Sequence, residues 1–325
     1  MIPTALDVVA ARRRIRDRVR VTPLHESAWV SSVAGAQVWL KLESVQLTGS
    51  FKIRGAFNAL LQLAAGADLQ VGPNRKPQIV TASAGNHGRA IACAAEALGF
   101  RATVFTPKDA PEAKVGPIRR HGATLRRDAA DYDEAERAAK AFARQTGATF
   151  VSAYNHPAVV AGAGTIALET LEIAPDVDTL VVPVGGAGLI GGIAIAAKAI
   201  SPSIRVIGVE LEVSNAFQVS LRNGRITAIV AGQTIADGLG GNMDADTITF
   251  EIVQRFVDEV VTVSEAEIVA AIAGLVREEH LIAEGAGAAS VAAVLAGKTW
   301  KGRRIAAVVS GANIDATRLA PLLTA

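Results

Sequence analysis

The sequence predicts an α/β protein built on buried parallel strands, and three observations carry that expectation. Half of the 325 residues are hydrophobic, only 4% are aromatic and 20% are charged, a mixture that supports a sizeable core and argues against disorder. Between residues 78 and 150, short apolar runs alternate with helix-length segments that end at glycines, the rhythm of parallel strands joined by crossover helices. The same rhythm resumes after residue 159. The length leaves room for two modest domains, or one large domain with an inserted lobe.

Taken in order, Thr4 with Asp7 forms a capping-box signature opening the first helix. Arg12, Arg13, Arg14, Arg16, Arg18 and Arg20 follow, interleaved with Ile15 and Val19 in a chain of net charge +2. They read as a solvated helix face rather than a nucleic-acid surface. Residues 37–43 alternate apolar and polar, as a half-buried strand does, and a helix is expected to begin near Ser50 and carry Lys52. Residues 78–82, 102–106 and 123–126 read as strands. Helices are expected at 88–98 before Gly99, 111–121 before Gly122, and 132–145 before Gly147. Beyond that lie a helix at 166–173, a strand at 179–184, a helix at 189–200 and a strand at 205–210. A helix at 264–279 has Ser264 and Glu267 as its capping box, and 304–310 is the last strand. The loop-like 63–76 and the change near 150 are the candidate lobe boundaries.

Several classes are argued against. Residues 179–197 carry no charge and are long enough to span a membrane, but Pro183 and Gly185, Gly186, Gly188, Gly191 and Gly192 fit a strand, a glycine loop and a buried helix better. Cys93 is the only cysteine, so no internal disulfide forms, and a packed thiol in a reducing compartment is expected. No secretory signal is visible at the N-terminus, so a soluble, cytoplasmic protein is expected. The five histidines show no ligand spacing, which argues against zinc.

Three segments carry chemistry. In Ser50-Phe51-Lys52-Ile53-Arg54-Gly55-Ala56 a lysine stands among apolar neighbours. Desolvation would lower its pKa and leave a neutral amine able to form a Schiff base, while on this segment alone a snorkelling lysine is the better reading. Val184-Gly185-Gly186-Ala187-Gly188-Leu189 follows a strand and opens a helix, where backbone N–H groups could meet a phosphate. Dinucleotide sites use the same device, but the glycine order is not theirs, and no Walker lysine follows. Ser83-Ala84-Gly85-Asn86-His87-Gly88 could hold a carboxylate on its amides, with the Asn86 side chain reaching a phenolic oxygen; an ordinary small-residue turn is the other reading.

Together with Ala161-Gly162-Ala163-Gly164-Thr165-Ile166-Ala167-Leu168-Glu169 and Ser310-Gly311-Ala312-Asn313, these motifs resemble, over essentially the full length, the threonine/serine dehydratase and serine racemase family. That family has the tryptophan-synthase-β-like fold, fold-type II among enzymes of pyridoxal 5′-phosphate. The resemblance implies two lobes, each a mostly parallel, open, twisted sheet flanked by helices: a large cofactor lobe of 1–52 and 150–325, and a small mobile lobe of 53–149. It implies that Lys52 bonds the cofactor, with Phe51 beside it. Gly185, Gly186, Ala187, Gly188 and Leu189 would cradle the phosphate, Asn86 would contact the ring hydroxyl, and Ser310 would face the pyridine nitrogen. Ser83, Gly85, Asn86 and His87 would receive the substrate carboxylate. A serine hydroxyl protonates the pyridine nitrogen less firmly than a carboxylate would, so the ring is a weaker electron sink and suits prompt loss of a β-leaving group. The implied reaction is dehydration of a β-hydroxy amino acid to a 2-keto acid and ammonia, with the freed lysine removing the Cα proton.

Ala84 stands where racemases of this family have a serine, which favours elimination. The alternatives are racemization or β-replacement with the same cofactor, or a dehydratase for 3-hydroxyaspartate or a bulkier 3-hydroxy amino acid. A nicotinamide oxidoreductase or a binding protein is a remoter reading. Tyr154-Asn155-His156 departs from the aromatic-acidic-acidic pattern before Pro157, which implies a shifted side-chain specificity at the substrate entrance. Gly238-Leu239-Gly240-Gly241-Asn242 either lines the site, with Gly238 at the substrate, or is a flexible surface loop. Glu210 ends a strand where some relatives bind a divalent cation, but the companion position is Ala216, so a divalent or monovalent cation is a secondary expectation. Glu284 opens an apolar helix and either approaches the cofactor ring or caps that helix. Biosynthetic relatives carry a further C-terminal regulatory domain, and no feedback through such a domain is expected here. A homodimer or homotetramer with no nucleic-acid or membrane partner completes the expectation.

Overall fold

The computed structural model describes residues 1–66, 77–297 and 300–324. Helix α1 (Ala5–Ile15) opens on the capping box read from the sequence, Thr4 accepting from the Asp7 amide and Asp7 reciprocating. Strand β1 (Leu24–Glu26) leads to α2 (Ala28–Ala34), capped by Ser27. Strand β2 (Gln37–Leu42) runs into a 3-10 turn, and α3 (Lys52–Gly66) begins at the lysine itself. Residues 63–66 are therefore helical, not loop, and the rest of the expected boundary at 63–76 lies outside the described residues.

The regular alternation follows as β3 (Gln78–Ala82), α4 (Asn86–Leu98), β4 (Arg101–Pro107), α5 (Glu112–Arg120), β5 (Thr124–Ala129), α6 (Tyr132–Thr146) and β6 (Thr149–Phe150). Gly99 and Gly147 close α4 and α6 in the left-handed conformation that glycine adopts without steric cost. Then come α7 (Pro157–Ile173), β7 (Thr179–Pro183), α8 (Gly188–Ile200), β8 (Arg205–Leu211), α9 (Ala216–Asn223), α10 (Ile248–Phe256) and β9 (Glu259–Val263). The chain finishes with α11 (Glu265–Glu279), α12 (Gly285–Ala296), β10 (Arg304–Val309) and α13 (Ala316–Leu322).

Two sheets result. A six-stranded sheet has the order β1-β2-β10-β7-β8-β9, and a four-stranded sheet the order β5-β4-β3-β6. Every pairing is parallel except β1 with β2. Each sheet is covered on both faces, which is what parallel strands require. One face of the larger sheet meets α1, α7 and α8 through residues such as Ile166, Ile190 and Val206; the other meets α11 and α12 through Ile272, Val291 and Val309. The expected boundary between 149 and 150 falls inside β6, whose Phe150 pairs with Val80 of the smaller sheet.

Helix α7 begins nine residues earlier than the expected 166, with Pro157 at its first position and His156 as its cap. Gly162 and Gly164 lower the helix propensity of that stretch. They are there for packing: a Cβ on Gly164 would lie 2.6 Å from the Gly192 carbonyl oxygen, so α7 and α8 cross backbone to backbone. Strand β2 is not the half-buried strand that its alternation suggests. It lies between β1 and β10, and both Lys41 and Glu43 are fully buried.

Those charges are buried because they pair. Arg54, fully buried, donates from Nε and Nη2 to Glu43, each at 2.8 Å, and from Nη1 to Glu169 at 2.6 Å. Lys41 Nζ reaches Glu169 at 2.6 Å and the Thr22 carbonyl at 2.8 Å. Two cations thus face two carboxylates in a closed set that joins β2, α3 and α7.

Candidate active site

The carboxyl ends of both sheets face a cavity of about 1030 Å³, the position where open α/β sheets place ligands. Lys52 lies on its floor. Ser50 bridges Gly311, and the Phe51 amide donates to the Ser310 carbonyl at 3.1 Å, so the start of α3 is tied to the end of β10. The Lys52 ammonium donates to the Ala153 carbonyl at 2.9 Å and sits 5.0 Å from the centre of the Phe51 ring. Removal from water pushes its pKa down to about 8, against the opposing pull of Glu284. An appreciable fraction of this lysine is therefore a neutral nucleophile near neutral pH.

Two helices point uncapped N-termini at the same cavity. Helix α8 starts after Ala187, a non-glycine residue at φ 60°, and no side chain caps it. Strain of this kind concentrates at functional sites, and the amides that it bares suit a phosphate. The flanking glycines are required by packing as well. A Cβ on Gly186 would fall 2.2 Å from the Tyr154 ring, and one on Gly185 would fall 2.6 Å from the Gly238 carbonyl oxygen. Helix α4 starts after Gly85, again without a side-chain cap, which leaves the Asn86 and His87 amides open to a carboxylate.

Ser83 accepts from the Gly85 amide at 3.1 Å, and Ala84 turns only a methyl group to the cavity wall. The His87 ring points at the Val151 carbonyl, 3.1 Å away. Burial pushes its pKa down to about 3, so the ring is neutral; what His87 offers an anion is its backbone N–H. Ser310 is buried and donates to the Ala286 carbonyl at 3.3 Å. Glu284 does not cap α12: its carboxylate accepts from Asn86 Nδ2 at 2.6 Å, and burial pushes its pKa up to about 7. Gly238 and its neighbours line the cavity and are not a free surface loop.

Two expectations need correction. Asn155 and His156 do not shape the entrance. Asn155 accepts from the Ile248 amide at 3.0 Å and His156 from the Ala158 amide at 3.2 Å, so each serves the start of a helix. Tyr154, their neighbour, is the residue at the cavity, stacked on Gly186 and accepting from the Asp244 amide at 3.0 Å. Glu210 is not among the residues that line the cavity. Its two oxygens accept from the Phe217 and Gln218 amides, both at 2.8 Å, at the N-terminus of α9. Among the described residues no group of three or more His, Cys, Asp or Glu side chains is placed to hold a metal. Sequence reasoning missed Tyr154 as a contact of the glycine loop, and missed Arg89 and Asn313, although Asn313 closes a motif that it had singled out.

A lysine of lowered pKa between two bare helix N-termini, one on a glycine loop, is a site for an aldehyde cofactor that bears a phosphate, and its residues fit pyridoxal phosphate. Residues 15–311 match the family described as pyridoxal-phosphate dependent enzyme, and the chain belongs to that family. It is 43% identical to an L-threonine ammonia-lyase of Thermotoga maritima, over 96% of this chain and 76% of the relative. It is 36% identical to the catabolic L-threonine dehydratase of Escherichia coli K12, over 99% and 96% of the two chains. The structure of maize serine racemase superposes with a TM-score of 0.91 at 33% identity, over 98% of this chain and 96% of that one.

The lysine sets a pH dependence. Below its pKa of about 8 only the neutral fraction of the amine, which falls about tenfold per pH unit, attacks an aldehyde. Capture of pyridoxal phosphate by cofactor-free protein should therefore quicken by about tenfold per pH unit up to that point and level off above it. Stopped-flow growth of the visible band measures this; a rate constant across pH 6–9 would contradict it.

Proposed function

We propose that this protein is an ammonia-lyase that takes L-threonine or L-serine to the 2-keto acid and ammonia. The observation that carries the reading is the Lys52 amine, held on the cavity floor between an N-terminus suited to phosphate and another suited to a carboxylate. The threonine ammonia-lyase and dehydratase relatives, matched over nearly the whole chain, support it. Bound pyridoxal phosphate supplies the sink for the electron pair left when Cα loses its proton. The amides of Gly188 and Leu189 would hold its phosphate, and Asn86 and Ser310 would meet its ring. The α4 amides and the Ser83 hydroxyl orient the substrate carboxylate. Lys52 would take the Cα proton as general base and pass it to the β-oxygen, which leaves as water; hydrolysis of the resulting imine would release ammonia.

Racemization is the second reading, favoured by the likeness to serine racemase. It needs a proton donor on the face of Cα opposite Lys52, where Ala84 has none, so elimination is preferred. The smaller sheet and its helices, within residues 53–66 and 77–150, form the lobe that closes over the substrate. Among the described residues no helix is long and apolar enough to cross a membrane, and we place the enzyme in the cytoplasm as a homodimer or homotetramer.

A panel of L-serine, L-threonine, 3-hydroxyaspartate and bulkier 3-hydroxy amino acids, assayed for keto acid, ammonia and D-enantiomer, tests both readings. Keto acid and ammonia in equal amounts from threonine or serine are expected, with little D-product. Predominant D-amino acid would replace the first reading by the second.

A further inference from the structure

We propose that Arg89 and Asn313 are positioning residues that fix which end of the Asn86 amide faces the cofactor. Arg89, in the first turn of α4, donates from Nη1 to Asn313 Oδ1 at 2.6 Å. A guanidinium has donors only, so the atom that it meets must be an acceptor. Asn313 is thereby oriented, and its Nδ2 donates to Asn86 Oδ1 at 2.6 Å and to the Thr48 carbonyl at 2.8 Å. With its oxygen engaged, Asn86 turns Nδ2 toward Glu284, 2.6 Å away. That nitrogen has a second N–H, and Asn86 lines the cavity. The side chain therefore offers the cofactor a donor, which suits an ionised phenolic oxygen, and withholds its carbonyl.

An isolated asparagine presents either end of its amide at similar cost. Here Arg89, which cannot accept, sets the choice together with the Thr48 carbonyl and the Glu284 carboxylate, which hold the two amide nitrogens. The loop before α3 presses on the same amide: a Cβ on Gly49, at φ +71°, would lie 2.5 Å from Asn313 Oδ1. The chain Arg89–Asn313–Asn86–Glu284 also joins α4 of the smaller sheet to the starts of α12 and α13 beside the larger one.

The inference rests on the reading that Asn86 meets the cofactor ring, and variants separate the two. Pyridoxal phosphate dissociation constants are measured by equilibrium dialysis of each purified holoenzyme, with melting curves recorded alongside. Arg89→Lys, still a pure donor, should bind within about twofold of wild type. Arg89→Met, which removes the charge without adding an acceptor, should lose no more than about threefold. Arg89→Glu presents only acceptors and reverses the polarity of the chain, so a loss of about tenfold or more is expected, the order of one hydrogen bond to a charged group. Asn313→Asp, which cannot donate to Asn86, should weaken binding similarly and decides the matter if Arg89→Glu does not fold. Wild-type affinity in both Arg89→Glu and Asn313→Asp, or equal losses in Arg89→Met and Arg89→Glu, overturns the inference. If Asn86→Ala itself binds as tightly as wild type, the reading of Asn86 fails and takes the relay with it.

Discussion

Replacing Lys52 with alanine should give a folded, colourless protein whose keto-acid production falls by at least about 10³-fold, because one substitution removes both the nucleophile that bonds the cofactor and the general base. The cofactor-free variant should be no less stable than wild type at pH 7. Burial lowers the Lys52 pKa from 10.5 to about 8, so the unfolded chain binds the extra proton and folding works against that difference. The sign follows. The destabilisation by Lys52 is fully present below pH 8, shrinks between pH 8 and 10.5, and is gone above. Urea unfolding of cofactor-free wild type and Lys52→Ala at pH 7 and pH 10 should show the stability difference narrowing with pH. A variant that keeps its visible band and its turnover would remove Lys52 from the chemistry.

Arg54→Met should destabilise the protein by about 3–5 kcal/mol, the usual cost of removing one partner from a buried ionic set. Glu43 and Glu169 would be left with Lys41 as their only fully buried cation, bonded at 2.6 Å to Glu169 and not to Glu43, which would lose both of its contacts with Arg54. Adding Glu43→Gln to Arg54→Met should return part of the loss, since residues in one such set do not act additively. Unfolding in urea followed by fluorescence measures both. A cost below about 1 kcal/mol would mean that water or rearrangement compensates the carboxylates. The catalytic consequence is local: Arg54 lies two residues after Lys52 and ties the first turn of α3 to the 3-10 turn after β2 and to α7.

What could be read from the sequence was what local chemistry determines. The capping boxes at Thr4 and Ser264, the glycine ends of α4 and α6, and the glycine turns opening onto α4 and α8 each depend on a few adjacent residues. Every residue singled out for cofactor or substrate lines one cavity. What failed depended on distant partners. Lys41 and Glu43 looked like the wet side of a strand, because Glu169 and Arg54, which bury them, come from other parts of the chain. The glycines of α7 hid a helix, since the reason for them is the backbone of α8. Asn155 looked like an entrance residue because its partner, the Ile248 amide at the start of α10, is far away in the chain. Residues 211–263 yielded no expectation of α9, α10 or β9, each of nine residues or fewer and so too short for periodicity to declare.

Borohydride reduction of the native holoenzyme, followed by proteolysis and peptide mass mapping, locates the amine that bonds the coenzyme without any substitution. A phosphopyridoxyl group on Lys52 alone is expected. The same label on Lys41, Lys114 or Lys140, or no label in a yellow, active preparation, would contradict the assignment on which the rest stands.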